Sequence, residues 1–157
     1  MRLADWLACS LIALAGSNAY AQPWSFKEPV DITAPAKAGV FHHLESSGRR
    51  NIAVSANTVA VTWEDDRDGT PRIYLALKDK AAIKFAEHIQ VSASGEAFEP
   101  GLVALKDGLV AVVWEEDEHV YVRMAGSGKM GAALRLSDVA SGQASMAVIG
   151  DQLLVVF

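Results

Sequence analysis

Val59-Ala60-Val61-Thr62-Trp63-Glu64-Asp65-Asp66 returns as Val110-Ala111-Val112-Val113-Trp114-Glu115-Glu116-Asp117, an offset of 51 residues. A third copy begins at Leu153-Leu154-Val155-Val156-Phe157, 43 residues beyond the second. Recurrence at a spacing of this order marks a supersecondary unit that is copied along the chain. Downstream of the first two copies the match continues. Arg72-Ile73-Tyr74-Leu75 aligns with His119-Val120-Tyr121-Val122 at offset 47, and Ile89-Gln90-Val91-Ser92 with Leu134-Arg135-Leu136-Ser137 at 45. The falling offsets place the length changes in turns, where chains tolerate them.

Each unit reads as four short strands, in the first copy Asn51 to Ser55, Thr58 to Trp63, Arg72 to Leu77 and Glu87 to Ser92, separated by Gly, Asp, Asn and Pro. Helix competes only over residues 78 to 88. In the second strand Val59, Val61 and Trp63 share one face and Thr58, Ala60 and Thr62 the other, and neither face carries a charge. Both faces are therefore covered. The fourth strand alternates, with Ile89 and Val91 inward and His88 and Gln90 outward, as a half-exposed edge does. Four-stranded units buried on both faces are what radially packed blades require, so the expectation is an all-β partial β-propeller.

Phe26-Lys27-Glu28-Pro29-Val30-Asp31-Ile32-Thr33 repeats the fourth-strand segment Phe85 to Ser92 at offset 59. An orphan outer strand thus opens the domain, and Pro29 suits an edge. Its inner strands would have to come from elsewhere in the ring. The repeats lie at about 50–92, 99–137 and 144–157. That makes about two and a half four-stranded antiparallel blades plus the orphan strand, against the roughly four to eight blades of closed rings. The expectation is the N-terminal part of a longer propeller. A sandwich of ten or eleven strands closing on itself is the rival, and it leaves the strand-by-strand recurrence without a cause.

Residues 1–21 carry a basic start (Met1, Arg2), an apolar run from Leu7 to Ala15 and Ala19-Tyr20-Ala21 before Gln22. This is the pattern of a cleavable export signal, giving a mature domain over 22–157 and a periplasmic or secreted location. The apolar run is too short for the roughly 20 residues a bilayer span needs, so no membrane span is expected after cleavage. Cleavage also removes Cys9, the one cysteine, so no disulfide or thiol chemistry is expected. Of the 157 residues 51% are hydrophobic and 21% charged, ordinary globular values. Fourteen Lys+Arg against nineteen Asp+Glu give a net charge of −5, which offers nothing to a phosphate backbone and excludes nucleic acid as the expected partner.

Trp63-Glu64-Asp65-Asp66-Arg67-Asp68-Gly69, followed by Arg72-Ile73-Tyr74-Leu75-Ala76, Glu99-Pro100-Gly101-Leu102-Val103-Ala104 and Val110 to Glu115, resembles the sialidase-like propellers with bacterial neuraminidase repeats. The resemblance spans about residues 24–157. The family's Ser-x-Asp-x-Gly-x-x-Trp box is degraded here to Leu77-Lys78-Asp79-Lys80-Ala81 and Ser127-Gly128-Lys129-Met130-Gly131, which marks a divergent member. Sialidases of that fold hold the substrate carboxylate with three arginines, use an Asp as acid and attack with a Tyr activated by a Glu. Arginine forks match a carboxylate bidentately, and an oxocarbenium-like transition state needs a proton donor and a negative partner. By position Arg50 resembles the first arginine, although Asn51-Ile52-Ala53 follows it where the family has Arg-Ile-Pro, and Arg67-Asp68 resembles the place of the acid. The remaining arginines, the Glu and the Tyr have no counterpart up to Phe157, so this stretch alone is expected to be inactive.

The ligand-binding candidates are Arg49, Arg50, Glu64, Asp65, Asp66, Arg67 and Asp68. In a propeller the turns from second to third strand and the connections entering each first strand emerge on one face. Glu64 to Gly69, Glu115 to Glu118, His42 to Arg50 and Gly95 to Glu99 are therefore expected to cluster into a charged loop face, a plausible polar-ligand site. The resulting expectation is binding of a carbohydrate or a protein partner there. An exo-sialidase-like glycoside hydrolase and an envelope scaffold are the alternatives. Competing structural roles are explicit. Asp65 to Gly69 also suits a plain hairpin loop, with Asp capping turn amides and Gly69 supplying a positive φ. Trp63 and Trp114 suit blade packing, and His88, His119, Lys106 and Asp107 suit the surface or turns. Glu64, Asp66, Asp68 and Gly69 have calcium-loop spacing, but Leu75 stands where the closing Glu belongs. His42-His43 lacks a further ligand at zinc spacing. No metal or cofactor is expected.

Overall fold

The computed structural model describes residues 28–30, 32, 42–43, 50–93, 95–126 and 128–157. Twelve strands form among them: β1 (His42–His43), β2 (Ile52–Val54), β3 (Thr58–Asp65), β4 (Arg72–Asp79), β5 (Ile89–Gln90), β6 (Ala97–Ala104), β7 (Val110–Glu116), β8 (His119–Gly126), β9 (Lys129–Met130), β10 (Leu134–Arg135), β11 (Ser145–Ile149) and β12 (Gln152–Val156). The fold is all-β with antiparallel sheets, none of them closed. Residues 78–88 form no helix, because Asp79 caps the amide of Ala81 at 2.8 Å in a turn and Ala86 returns to bond the Leu77 carbonyl at 2.8 Å.

Three sheets follow one another along the chain. In sheet A, β2 and β1 lie end to end along one edge of β3, with β4 and then β5 on the other side. Sheet B runs β6, β7, β8, and β9 and β10 share the outer edge of β8. Sheet C is the pair β11 and β12. The repeat is thus structural. Trp63 stands opposite Tyr74, and Trp114 opposite Tyr121. The two pairs stack alike, at 6.0 and 5.7 Å between ring centroids.

The faces are buried on both sides, as the uncharged pattern of β3 and β7 requires. Between sheets A and B lie Ala60, Ile73, Leu75, Leu77 and Val91 from one side and Leu102, Val110, Val112 and Trp114 from the other. The opposite face of sheet B, with Val103, Ala111, Val113 and Val120, packs on Met146, Leu153 and Val155 of sheet C. The outward face of sheet A gathers Val61, Trp63, Tyr74 and Ala76 beneath Ile32 and Phe85.

The orphan strand expected over 26–33 appears only through Glu28, Pro29, Val30 and Ile32, which carry no strand pairing, since none of the described strands flanks them. Export-signal residues 1–21 lie outside the described residues. Among the described residues no helix is long and apolar enough to cross a membrane.

Candidate functional site

Strand direction fixes what gathers at each end of the stack. The β3–β4 turn, the β7–β8 turn and the connections leading into β6 and β11 all emerge at one end. Contacts tie these segments together. The Asp117 N–H donates to the Glu96 carbonyl at 3.4 Å, Ser141 N–H to the Glu118 carbonyl at 2.8 Å, and Glu99 N–H to Glu64 Oε2 at 3.4 Å. β1 adds His42 and His43 opposite Asp65 and Glu64. Of the four segments expected to cluster, 64–69, 95–99 and 115–118 meet at this end, while of 42–50 only His42, His43 and Arg50 lie among the described residues. The strand at His42–His43 was not legible in the sequence, which carries no apolar alternation there.

At the root of this end each of the first two sheets buries a carboxylate two residues after its tryptophan. Asp65 accepts the Trp63 indole N–H at 3.2 Å and the Arg67 backbone N–H at 2.9 Å, and the Arg67 guanidinium forks onto it through Nε at 2.7 Å and a second, shorter contact. Burial alone would raise the Asp65 pKa. The hydrogen bonds from Arg67 and Trp63 and the Arg67 charge outweigh it and hold the group at about 2, against an ordinary 3.8. The hydrogen bond to Asp65 in turn raises the pKa of Arg67. Its guanidinium lies 4.0 Å above the Tyr74 ring and touches His88 Nε2. Burial raises the Tyr74 pKa, helped by Asp68 and Asp65 and opposed by Arg67. The Tyr74 hydroxyl donates to Asp68 Oδ2 at 3.3 Å.

In sheet B the acid is one methylene longer and does different work. Glu116 accepts the Trp114 indole N–H at 2.8 Å, then Ala93 N–H at 3.1 Å and Gly95 N–H at 2.9 Å from the connection between sheets. Gly95 lies close against the Asp117 carboxylate and Gly142 against that of Glu115, so a larger residue at either position would push those side chains aside. Both glycines belong to a second repeat, Ser94-Gly95-Glu96-Ala97 and Ser141-Gly142-Gln143-Ala144 at offset 47. That short match is the sequence signal for the connections.

The candidates are thus divided. Asp65 is buried and, with Arg67, forms an internal clamp across the β3–β4 turn. Glu64 and Asp66 are half-buried, and Asp68 is exposed at the tip beside Gly69, whose φ of 82° is the positive value the turn needs. Arg49 lies outside the described residues. Arg50 precedes β2 along the inner edge of β3: its carbonyl accepts the Leu102 N–H at 2.7 Å and the neighbouring Asn51 carbonyl accepts the Thr62 N–H at 2.9 Å, which sets Arg50 level with Trp63, one residue short of Glu64. It borders a groove of about 370 Å³ along the inner strands, walled by Ile52, Val54, Leu102, Val103 and Val148.

His88 is not the free surface residue expected. It is half-buried edge-on to Trp63 and Tyr74, because the aromatic pair leaves a ring-sized gap at the outer strand. Among the described residues no three His, Cys, Asp or Glu side chains are placed to share a metal ion.

The described lysines, Lys78, Lys80, Lys84, Lys106 and Lys129, sit toward one end together with Asp79, Asp107 and Asp151, whereas at the loop end Glu64, Asp66, Asp68, Glu96, Glu99, Glu115, Asp117 and Glu118 outnumber Arg67 and Arg72. No family model matches the chain, and no curated protein or solved structure does.

Proposed function

We propose that the three sheets are successive blades of a divergent sialidase-like propeller, exported from the cell, whose acidic loop face binds a polar ligand, either a carbohydrate or a protein partner. Support for the ring comes from repeat-equivalent residues that recur where sheet A meets B and B meets C: Ala60 and Ala111, Ile73 and Val120, Leu75 and Val122, and Val91 and Leu136 on one side, with Val110 and Leu153, and Val112 and Val155, on the other. Binding, rather than glycoside cleavage, is favoured by one observation above the rest: the Arg67 fork is engaged by Asp65 and stacked on Tyr74. The loop that resembles an acid site therefore offers carboxylates and no arginine fork of its own. An anionic sugar approaching this end meets like charge, while a neutral sugar or a basic protein segment does not.

The test uses the full-length protein on a neutral and sialylated glycan array and in titration with a lysine-rich peptide. Saturable binding to a neutral glycan or to the peptide, weakened about tenfold or more by Asp68→Lys with Glu118→Lys, is expected. Turnover of a fluorogenic sialoside that Arg50→Ala abolishes would replace this reading by the glycosidase one.

A further inference from the structure

Arg67 has every part of its guanidinium committed. Nε and one terminal nitrogen fork onto Asp65, the plane lies 4.0 Å above the Tyr74 ring, and the other terminal nitrogen meets His88 Nε2. A guanidinium keeps its protons in proteins, so Arg67 is the donor at each of these hydrogen bonds. His88 Nε2 therefore turns a lone pair toward it, and the ring is neutral with its proton on Nδ1. A second proton has only Nε2 to go to. There it sets N–H against N–H and one cation against another, so the contact belongs to the neutral ring alone. Charged and titratable groups face His88 from each described element around it. The β3–β4 turn brings Arg67, and also Asp68 through its bond to the Tyr74 hydroxyl; β3 brings Asp65 behind Arg67; β4 brings Tyr74; and Glu87, which is exposed, precedes His88 in its own segment.

The aromatic stack does not require this arrangement. In sheet B, Trp114 and Tyr121 stack at 5.7 Å with Ala133 at the position of His88 and nothing at that of Arg67, because the turn after Trp114 is four residues shorter. The arginine and the histidine are thus an addition to one copy of the repeat. They meet at the base of the acidic turn over residues 64–69.

We propose that His88 is a proton-operated latch on this turn: the neutral ring accepts Arg67 and braces the turn against the outer edge of sheet A, and the protonated ring lets Arg67 go and removes the brace. Histidine changes charge between about pH 8 and 5, a range in which the carboxylates of the turn stay ionised. Acidification then weakens binding at the loop face in two ways, through a less ordered turn and through a positive charge added at its base. That consequence rests on the loop-face reading above, and the latch itself does not.

Nuclear magnetic resonance on the full-length protein tests the latch. At about pH 7.5 the ring nitrogens of His88 should report the Nδ1–H tautomer. On going to about pH 5, the protection of the Arg67 backbone and Nε protons, both held by Asp65 Oδ1, should fall about threefold or more while that of the Leu75 amide is unchanged. His88→Gln keeps an acceptor for Arg67 and does not titrate, so its protection should stay level over the same range, and the comparison subtracts the other histidines, His42, His43 and His119. An Nε2–H tautomer at neutral pH, protection that ignores acid, or the same fall in His88→Gln overturns the latch. Titration with a lysine-rich peptide reads the consequence: the affinity should drop about threefold or more over this range in the wild type and by less than about half as much in His88→Gln. Equal drops in the two proteins refute the coupling of the latch to the ligand. Absence of binding to the peptide and to neutral glycans at neutral pH removes the loop-face reading, and the latch then stands or falls on the resonance data.

Discussion

Asp65 shows how one side chain is committed. Its carboxylate takes the indole of Trp63, the amide of Arg67 and the Arg67 fork, all within a turn that the sequence presents as a row of acids. Linkage then has a definite sign. The folded-state pKa, about 2, lies below the ordinary 3.8, so the unfolded chain takes up the proton first as acid is added. Asp65 therefore stabilises the fold fully above about pH 4, by about 2 kcal/mol, and this is lost as the pH falls toward 2. Asp65→Asn should lower stability at pH 7 by about that amount or more, since Arg67 is left without its partner. It should also flatten the stability curve between pH 4 and 2, which urea denaturation at stepped pH measures. A variant with the wild-type acid slope would contradict the clamp.

At the scale of the element, the repeated unit is a strand ending in Trp-x-acid, and the acid decides what the strand end holds. Aspartate holds the amide and guanidinium of its own turn. Glutamate reaches across to the amides of Ala93 and Gly95 and so pins the connection that leads from sheet A to sheet B. Glu116→Ala removes the acceptor of three N–H groups at once and should cost about 2–4 kcal/mol, with faster exchange at Ala93 and Gly95 while the Leu75 amide stays protected. Normal stability in guanidinium would show that water replaces the carboxylate.

The strands themselves were legible because both faces of β3 and β7 are apolar over a whole strand length, a pattern that outlasts changes in loop length. The roles of Asp65, Arg67 and His88 were not. A charged residue in a turn has the same local signature whether it faces solvent or, as Asp65 does, folds back on the tryptophan two residues before it. The register of β3 against β4 brings Arg67 over Tyr74, and that of β4 against β5 brings His88 against both rings.

For the whole molecule the question is what lies beyond sheet C. In sheet B the outward residues Ala111 and Val113 are 0% exposed because sheet C covers them, whereas their repeat equivalents Leu154 and Val156 are 49% and 57% exposed. Ile149, on the same side of β11, is open as well. Residues of one repeat position are apolar for one reason, and a face on which Ala147, Ile149, Leu154 and Val156 outnumber Ser145 and Gln152 is built to be covered. Paired substitutions in the full-length protein separate the two possible causes. Val113→Asp places a carboxylate between sheets B and C and should cost about 3 kcal/mol or more. Val156→Asp should cost a comparable amount if a further blade packs there, and within about 0.5 kcal/mol of nothing if the face meets solvent. Equal losses of melting temperature in the two variants fit a stack that continues past β12. A full loss in the first with none in the second would end the ring at sheet C, and with it the reading of the loop face as one sector of a larger binding surface.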